Sequence, residues 1–350
     1  MSLTSRGKLT AAIGAGTVLA VLVVAFFALF PNSAPAFVRT TMSTVGLAED
    51  PAPPTCPLTG EPAPHGAVPH RPALAIKVEN APEARPQTGL NDADVVFEEP
   101  VEGGYTRFIA VYQCSEAAKV GPVRSGRTTD PDVLVQFGKP VLGYAGGKEA
   151  VRNGIAKAGI VDVNYMDDAD AYTRDGSRVA PHNLYTTTKA LWKVAGSSEG
   201  APAPIFAYAD QPTNKAKRIS TAHLPFSSVS DVYWAWSRKD GAWLRSHGSV
   251  PHDLTDGGQV SATNVVIMQV DVHDGRLVDA AGNASPVVKL TGKGRAYVLR
   301  DGKLVAGTWQ RPKLSDVTKL VGKDGSEIAL AAGRTWIELL PHDVGVRTER

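Results

Sequence analysis

Two arginines three residues apart, Arg124 and Arg127, frame Ser125 in the run Gly121-Pro-Val-Arg-Ser-Gly-Arg127, directly before Thr128-Thr-Asp-Pro131. Guanidinium forks and hydroxyls at the start of a helix are groups that hold an oxyanion or a phosphate. Asn80, Arg85 and Arg107 lie upstream and His182-Asn183 downstream, so the ligand-binding candidates are Asn80, Arg85, Arg107, Arg124, Ser125, Arg127, His182 and Asn183. Glu98 and Glu102, either side of Pro100, have the spacing of paired carboxylates for acid–base work. With His182 as a general base they form the catalytic candidates. The same residues admit a plainer reading, in which Arg124 and Arg127 pair with Glu98, Glu99 or Glu102, a salt bridge to Arg107 accounts for Glu98 and Glu102, and Asp130 caps the helix where an anion would sit.

Several other chemistries fail on spacing. Gly146-Gly147-Lys148 lacks the pattern of a nucleotide-binding loop and reads as a tight turn. Asp167, Asp168, Asp170 and Asp175 have no glycine at the sixth position of a calcium loop. Ser125 in Arg-Ser-Gly lacks the strand-to-helix elbow pattern of a serine hydrolase, and two isolated cysteines lack the paired spacing of a zinc site. The expectation is therefore no metal site and no cofactor, with a divalent cation such as Mg²⁺ left open for the enzyme reading. A formal net charge of +2 over 350 residues gives no reason to expect a nucleic-acid partner. Trp234, Trp236, Trp243, Trp309 and Trp336 suit glycan stacking, although burial in strands explains such residues more often.

The charged candidates sit in strand-like sequence: Ala73 to Glu79, Ala93 to Phe97 and Thr106 to Tyr112. An unpaired charge buried in such a run costs several kcal/mol, comparable to the stability of a domain. These charges must be paired, solvated in a cleft or bound to something. Asp130-Pro131 opens a helix over Asp132 to Phe137, Val141 to Tyr144 reads as a strand, Lys148 to Ala158 as a helix, and Thr186 to Thr188 caps a last helix to Val194. The expected fold class is α/β, or α+β, over residues 56–195. After a 196–204 linker, a mostly antiparallel β domain covers 205–345, with Asp-Gly turns at 240, 256, 274, 301 and 324.

Arg6 and Lys8 precede an uninterrupted apolar stretch from Leu9 to Phe30, long enough to cross a hydrocarbon core of about 30 Å. The charge bias places a 1–8 stub in the cytoplasm, a 9–30 single-pass anchor in the membrane, and a 31–55 Pro-rich tether and all that follows outside. A cleavable signal peptide is the alternative, with a shorter apolar core. In that compartment Cys56 and Cys114, the two cysteines of the chain, are expected to form a disulfide.

The runs Cys56-Pro-Leu-Thr-Gly60, Asn80-Ala-Pro-Glu-Ala-Arg-Pro-Gln-Thr-Gly89, Glu102-Gly-Gly-Tyr-Thr-Arg-Phe108, Gly121 to Arg127, His182-Asn-Leu-Tyr185, Gly294 to Gly302 and Gly333-Arg-Thr-Trp-Ile-Glu338 resemble the YerB-like family of bacterial envelope proteins. This is the family catalogued as domain of unknown function 3048. The resemblance spans residues 56 to 341 and implies an extracytoplasmic two-domain protein, often a lipoprotein, without an established activity. The lipid-attachment box is missing here, which leaves anchoring to the 9–30 helix. The functional expectation is a membrane-anchored envelope protein that binds an anionic polymer or glycan of the cell wall. The other readings are an enzyme acting on a phosphate-linked glycopolymer or lipid diphosphate, and a scaffold with an unidentified protein partner.

Overall fold

A computed structural model describes residues 53–196, 199–279 and 281–350. The 1–8 stub, the 9–30 anchor, nearly all of the 31–55 tether and residues 197–198 of the linker lie outside the described residues. Among the described residues no helix is long and apolar enough to cross a membrane.

The first half contributes β1 (Leu74–Glu79), β2 (Val95–Pro100), β3 (Thr106–Tyr112), α1 (Thr129–Leu134), β4 (Val141–Tyr144), α2 (Glu149–Lys157), β5 (Val161–Asn164), β6 (Tyr172–Arg174), β7 (Leu184–Thr186) and α3 (Thr188–Ala195). The second half contributes β8 (Ala216–Arg218), β9 (Thr221–Pro225), β10 (Asp231–Ser237), β11 (Ala242–His247), β12 (Val250–Pro251), β13 (Ser261–Ala262) and β14 (Asn264–Val278). It continues with β15 (Ala284–Lys289), β16 (Gly292–Arg300), β17 (Lys303–Arg311), β18 (Lys319–Gly322), β19 (Thr335–Pro341) and β20 (Arg347–Glu349). The class is α+β and mostly β, with mixed and antiparallel sheets, as the alternating runs predict.

Strands from both halves share one sheet, in the order β18-β17-β16-β14-β19-β2-β3-β1-β4-β5, with β15 on β14 and β8 on β17. The junction is the parallel pairing of β19 with β2, from Thr335↔Val95 to Glu338↔Glu98. A second sheet, β12-β11-β10-β9-β20 with β13 on β11, belongs to the second half. Residues 54–350 accordingly form one compact unit.

Being central, β1 is buried along its whole length, and its residues alternate between two cores. Ile76, Val78, Val96 and Phe108 face a core shared with Trp234 and Trp243 of the second sheet. Ala75, Phe97, Ile109 and Val111 face the other core, closed by Val133 and Leu134 of α1 and by Val151 and Ile155 of α2. Trp336 packs between Phe108 and Trp234, with ring centroids 5.1 and 5.4 Å away.

Two boundaries differ from expectation. Helix α1 starts at Thr129 rather than Asp132, so Asp130 lies in its first turn and accepts from Arg127 N at 2.7 Å. Strand β14 runs straight through Asp274-Gly275, where a turn is expected, with a register shift against β15 between Asp274 and Val278. The chain reverses later, where Asp279 Oδ1 accepts from Ala281 N and Asn283 N. The Asp-Gly pairs at 240 and 301 do close hairpins, and α3 begins as predicted, with the Thr187 hydroxyl accepting from Ala190 N at 2.9 Å.

Candidate functional site

Strands β1 and β4 are parallel neighbours only as far as Ile76↔Gly143. Beyond that point the arginine loop is threaded between them: Arg124 N donates to Lys77 O at 2.9 Å, Ala145 N to Arg124 O at 3.0 Å, and Gly126 N to Gly146 O at 3.0 Å. A crevice at the carboxyl ends of parallel strands is where α/β sheets place ligands. Here the loop that fills it carries Arg124, Ser125 and Arg127.

The side chains around the loop form a charged cluster. Arg124 Nε donates to Glu79 Oε1 at 2.8 Å, and His182 Nδ1 contacts Glu79 Oε2 at 2.9 Å. A carboxylate only accepts, so the His182 hydrogen sits on Nδ1. Arg127 grips Glu102 Oε2 through Nε at 2.9 Å and Nη2 at 2.5 Å, and the Ser285 hydroxyl donates to Oε1 of the same carboxylate. Burial pushes the Glu102 carboxyl up, but the hydrogen bonds from Arg127 and Ser285 outweigh it and hold it below its ordinary range. Beside this pair a cleft of about 230 Å³ is lined by Glu102, Ser125, Arg127 and Lys148.

Arg107 differs from its neighbours. It is half-buried, its hydrogen bond goes from Nη1 to the Ser125 carbonyl at 3.1 Å, and it forms no ion pair among the described residues. Burial lowers its pKa to about 10, Arg127 and Arg124 push in the same direction, and Glu102 and Glu79 oppose them from a distance. It remains charged at neutral pH without a carboxylate in contact.

Deeper on this face, Lys77, Glu99 and Asp130 are fully buried together, with Lys77 Nζ paired to both carboxylates. Burial drives the Glu99 carboxyl up to about 7, and Asp130 pushes the same way against the pull of Lys77. The helix N-terminus expected to hold an anion is thus supplied with Asp130 from its own chain.

The structure separates the predicted residues by strand parity. Arg107, Arg124, Ser125, Arg127, Glu102 and His182 come together with Glu79. Glu98 points to the opposite face, where Arg245 Nη2 reaches both of its oxygens at 2.8 Å and both side chains are sealed from solvent. Glu98 is therefore not a carboxylate of the arginine cluster. Asn80 is on that opposite face too, its Nδ2 donating to Thr106 Oγ1 at 2.7 Å. Arg85 donates to the Asn80 carbonyl at 2.8 Å, and its pKa is lowered to about 10 by burial and then by Arg245. Asn183 accepts from Arg174 at 2.7 Å and braces the loop before β7 through the Asp175 and Arg178 carbonyls.

The network around Glu98 was not legible in the charged runs. Arg245 Nη1 donates to His252 Nδ1 at 2.8 Å, which leaves His252 Nε2–H to donate to Gln87 Oε1 at 2.8 Å. Burial, then Arg245, hold His252 neutral. Glu338, beside Glu98, is pushed far up by burial and by the Glu98 charge, and accepts from Trp234 Nε1 at 2.6 Å. Its signal was the strand alternation that places Glu98, Trp336 and Glu338 on one face. The expected disulfide between Cys56 and Cys114 is formed, with Cα atoms 5.9 Å apart.

Comparisons with known proteins agree with this architecture. Residues 58–201 match the family model "Protein of unknown function (DUF3048) N-terminal domain", and residues 222–337 match the corresponding C-terminal domain. A relative named "Putative lipoprotein YerB", from Bacillus subtilis (strain 168), is 28% identical over 297 residues, covering 81% of this chain and 86% of its own. The crystal structure of the YerB protein from Bacillus subtilis superposes with a TM-score of 0.72 at 24% identity, covering 84% of this chain and 99% of that one.

Proposed function

The chain belongs to the YerB-like, DUF3048 family, whose function is uncharacterised, and on that premise we propose that it is a membrane-anchored envelope protein that binds an anionic ligand of the cell wall at the Arg107 cluster. The observation that carries this reading is Arg107, a half-buried cation with spare N–H donors and no carboxylate in contact, flanked by two arginines whose charges are already matched. A phosphate or carboxylate would supply the missing counter-charge and accept from those donors. The anchor is the 9–30 segment, with residues 1–8 in the cytoplasm and the folded unit outside. The disulfide and the lipoprotein name of the relative both favour an oxidising, extracytoplasmic setting.

The Glu79–His182 contact favours a second reading, in which His182 acts as a general base on a phosphate-linked glycopolymer or lipid diphosphate. Glu79 fixes Nδ1 as the protonated nitrogen and leaves Nε2 as the acceptor.

Calorimetric titration of the full chain with a wall-type anionic polymer and with pyrophosphate, each with and without Mg²⁺, separates these readings. Arg107→Gln and the Arg124→Ala/Arg127→Ala pair should each weaken pyrophosphate binding by about tenfold or more, whatever the polymer does elsewhere on the chain. Unchanged binding in both variants would sink the site, whereas turnover lost in His182→Gln would establish the enzyme.

A further inference from the structure

Four chain segments from the two sheets converge far along the sequence from the arginine cluster. Arg218 and Lys303 are direct cross-strand partners of β8 and β17, and Ile219 N donates to Gly302 O at 3.1 Å. Trp236 N donates to Ser220 O at 2.8 Å, and Ser220 N to Glu349 O at 2.9 Å. These main-chain ties fix a concave cleft of about 850 Å³.

Five cations line it: Lys217, Arg218, Arg238, Lys303 and Arg350. None of the five forms a side-chain ion pair among the described residues, and the side-chain carboxylate lining the cleft, Asp301, is already held by Arg300 Nε at 2.8 Å. The whole chain carries a net charge of only +2, so this is a strong local concentration of positive charge. Like charges gathered in one cleft repel one another, and a bound polyanion relieves that repulsion while releasing counter-ions.

Trp236 adds a second recognition element. Trp234, Trp243, Trp309 and Trp336 are buried, whereas Trp236 is half-buried and lies in the cleft. Its ring rests on the turn at Gly302, where φ is +66° and an added Cβ would come within 2.8 Å of the indole Nε1. The turn therefore needs glycine both for its backbone and for the close approach of the ring. An aromatic edge fixed among cations suits a chain that alternates anionic groups with sugar or polyol units. A concave cleft accommodates such a chain better than it accommodates a planar membrane surface.

We propose that the cleft formed by Lys217, Arg218, Trp236, Arg238, Lys303 and Arg350 is a binding site for a linear phosphate-linked sugar or polyol polymer. It stands on residues separate from the Arg107 cluster and does not depend on it. The test is titration of the full chain, in uncharged detergent, with a soluble poly(glycerol phosphate), following tryptophan fluorescence at several salt concentrations. The Lys217→Glu/Arg238→Glu variant, with exposed side chains and an unchanged thermal midpoint, should bind about tenfold or more weakly at about 50 mM salt and show a shallower salt dependence. Arg107→Gln should leave this binding unchanged, which distinguishes failure here from failure at the other cluster. Equal binding by the charge-reversed variant would overturn the proposal. So would duplex DNA binding at least as tightly as the polymer, which would assign the cleft to nucleic acid instead.

Discussion

Glu98 and Glu99 are adjacent in sequence and serve opposite faces of one sheet. Glu98 completes a sealed pair with Arg245, 147 residues away, and removing either partner would leave a buried charge alone. Glu99 shares Lys77 with Asp130 and is held at about 7 by burial, so its proton binds more tightly in the folded chain than in the unfolded one, where carboxylates titrate near 4.3. Its contribution to stability is therefore full below about pH 4.5, falls as pH rises to about 7, and is constant above. Glu99→Gln removes that component. In denaturant titrations the wild type should lose on the order of 2 kcal/mol relative to the variant between pH 5 and pH 8. A constant difference across that range would show that Glu99 ionises normally. Alternation made the opposite facing of the two glutamates readable in the sequence. The identity of their partners was not readable, because Arg245 and Asp130 reach them only through tertiary packing.

The elements that the sequence disclosed best are the local ones. Asp240-Gly241 and Asp301-Gly302 mark real hairpins because only the two flanking strands decide them. Asp274-Gly275 misleads because β14 continues through a register shift, and an extended pair with one irregularity has the same composition as a turn. Least visible was β19, which enters between β14 and β2 from the far end of the chain. That insertion makes β2 an interior strand, and without it the backbone of Val95 to Glu98 becomes an open apolar edge. A fragment of residues 56–195 should consequently aggregate or lack a cooperative thermal transition. A monomeric fragment with a sharp transition would mean that the first half folds without its neighbour strand.

Across the whole molecule, positive charge is placed in two unlike ways. Around Arg107 it is nearly neutralised, with Arg124 matched by Glu79 and Arg127 by Glu102, leaving one half-buried cation in excess. In the cleft near Trp236 it is exposed and unmatched. The first arrangement suits a single anionic group held by directed hydrogen bonds, and the second suits an extended chain gathered by field and counter-ion release. On the reading proposed above, Arg107 is the counter-charge for a bound anion. A crystal structure of the protein with saturating pyrophosphate tests it most directly. An anion oxygen is expected about 2.7–3.1 Å from a free Arg107 N–H, with the Glu79–Arg124 and Glu102–Arg127 pairs intact. Arg107 without an anion, while pyrophosphate occupies only the Trp236 cleft or binds nowhere, would contradict it.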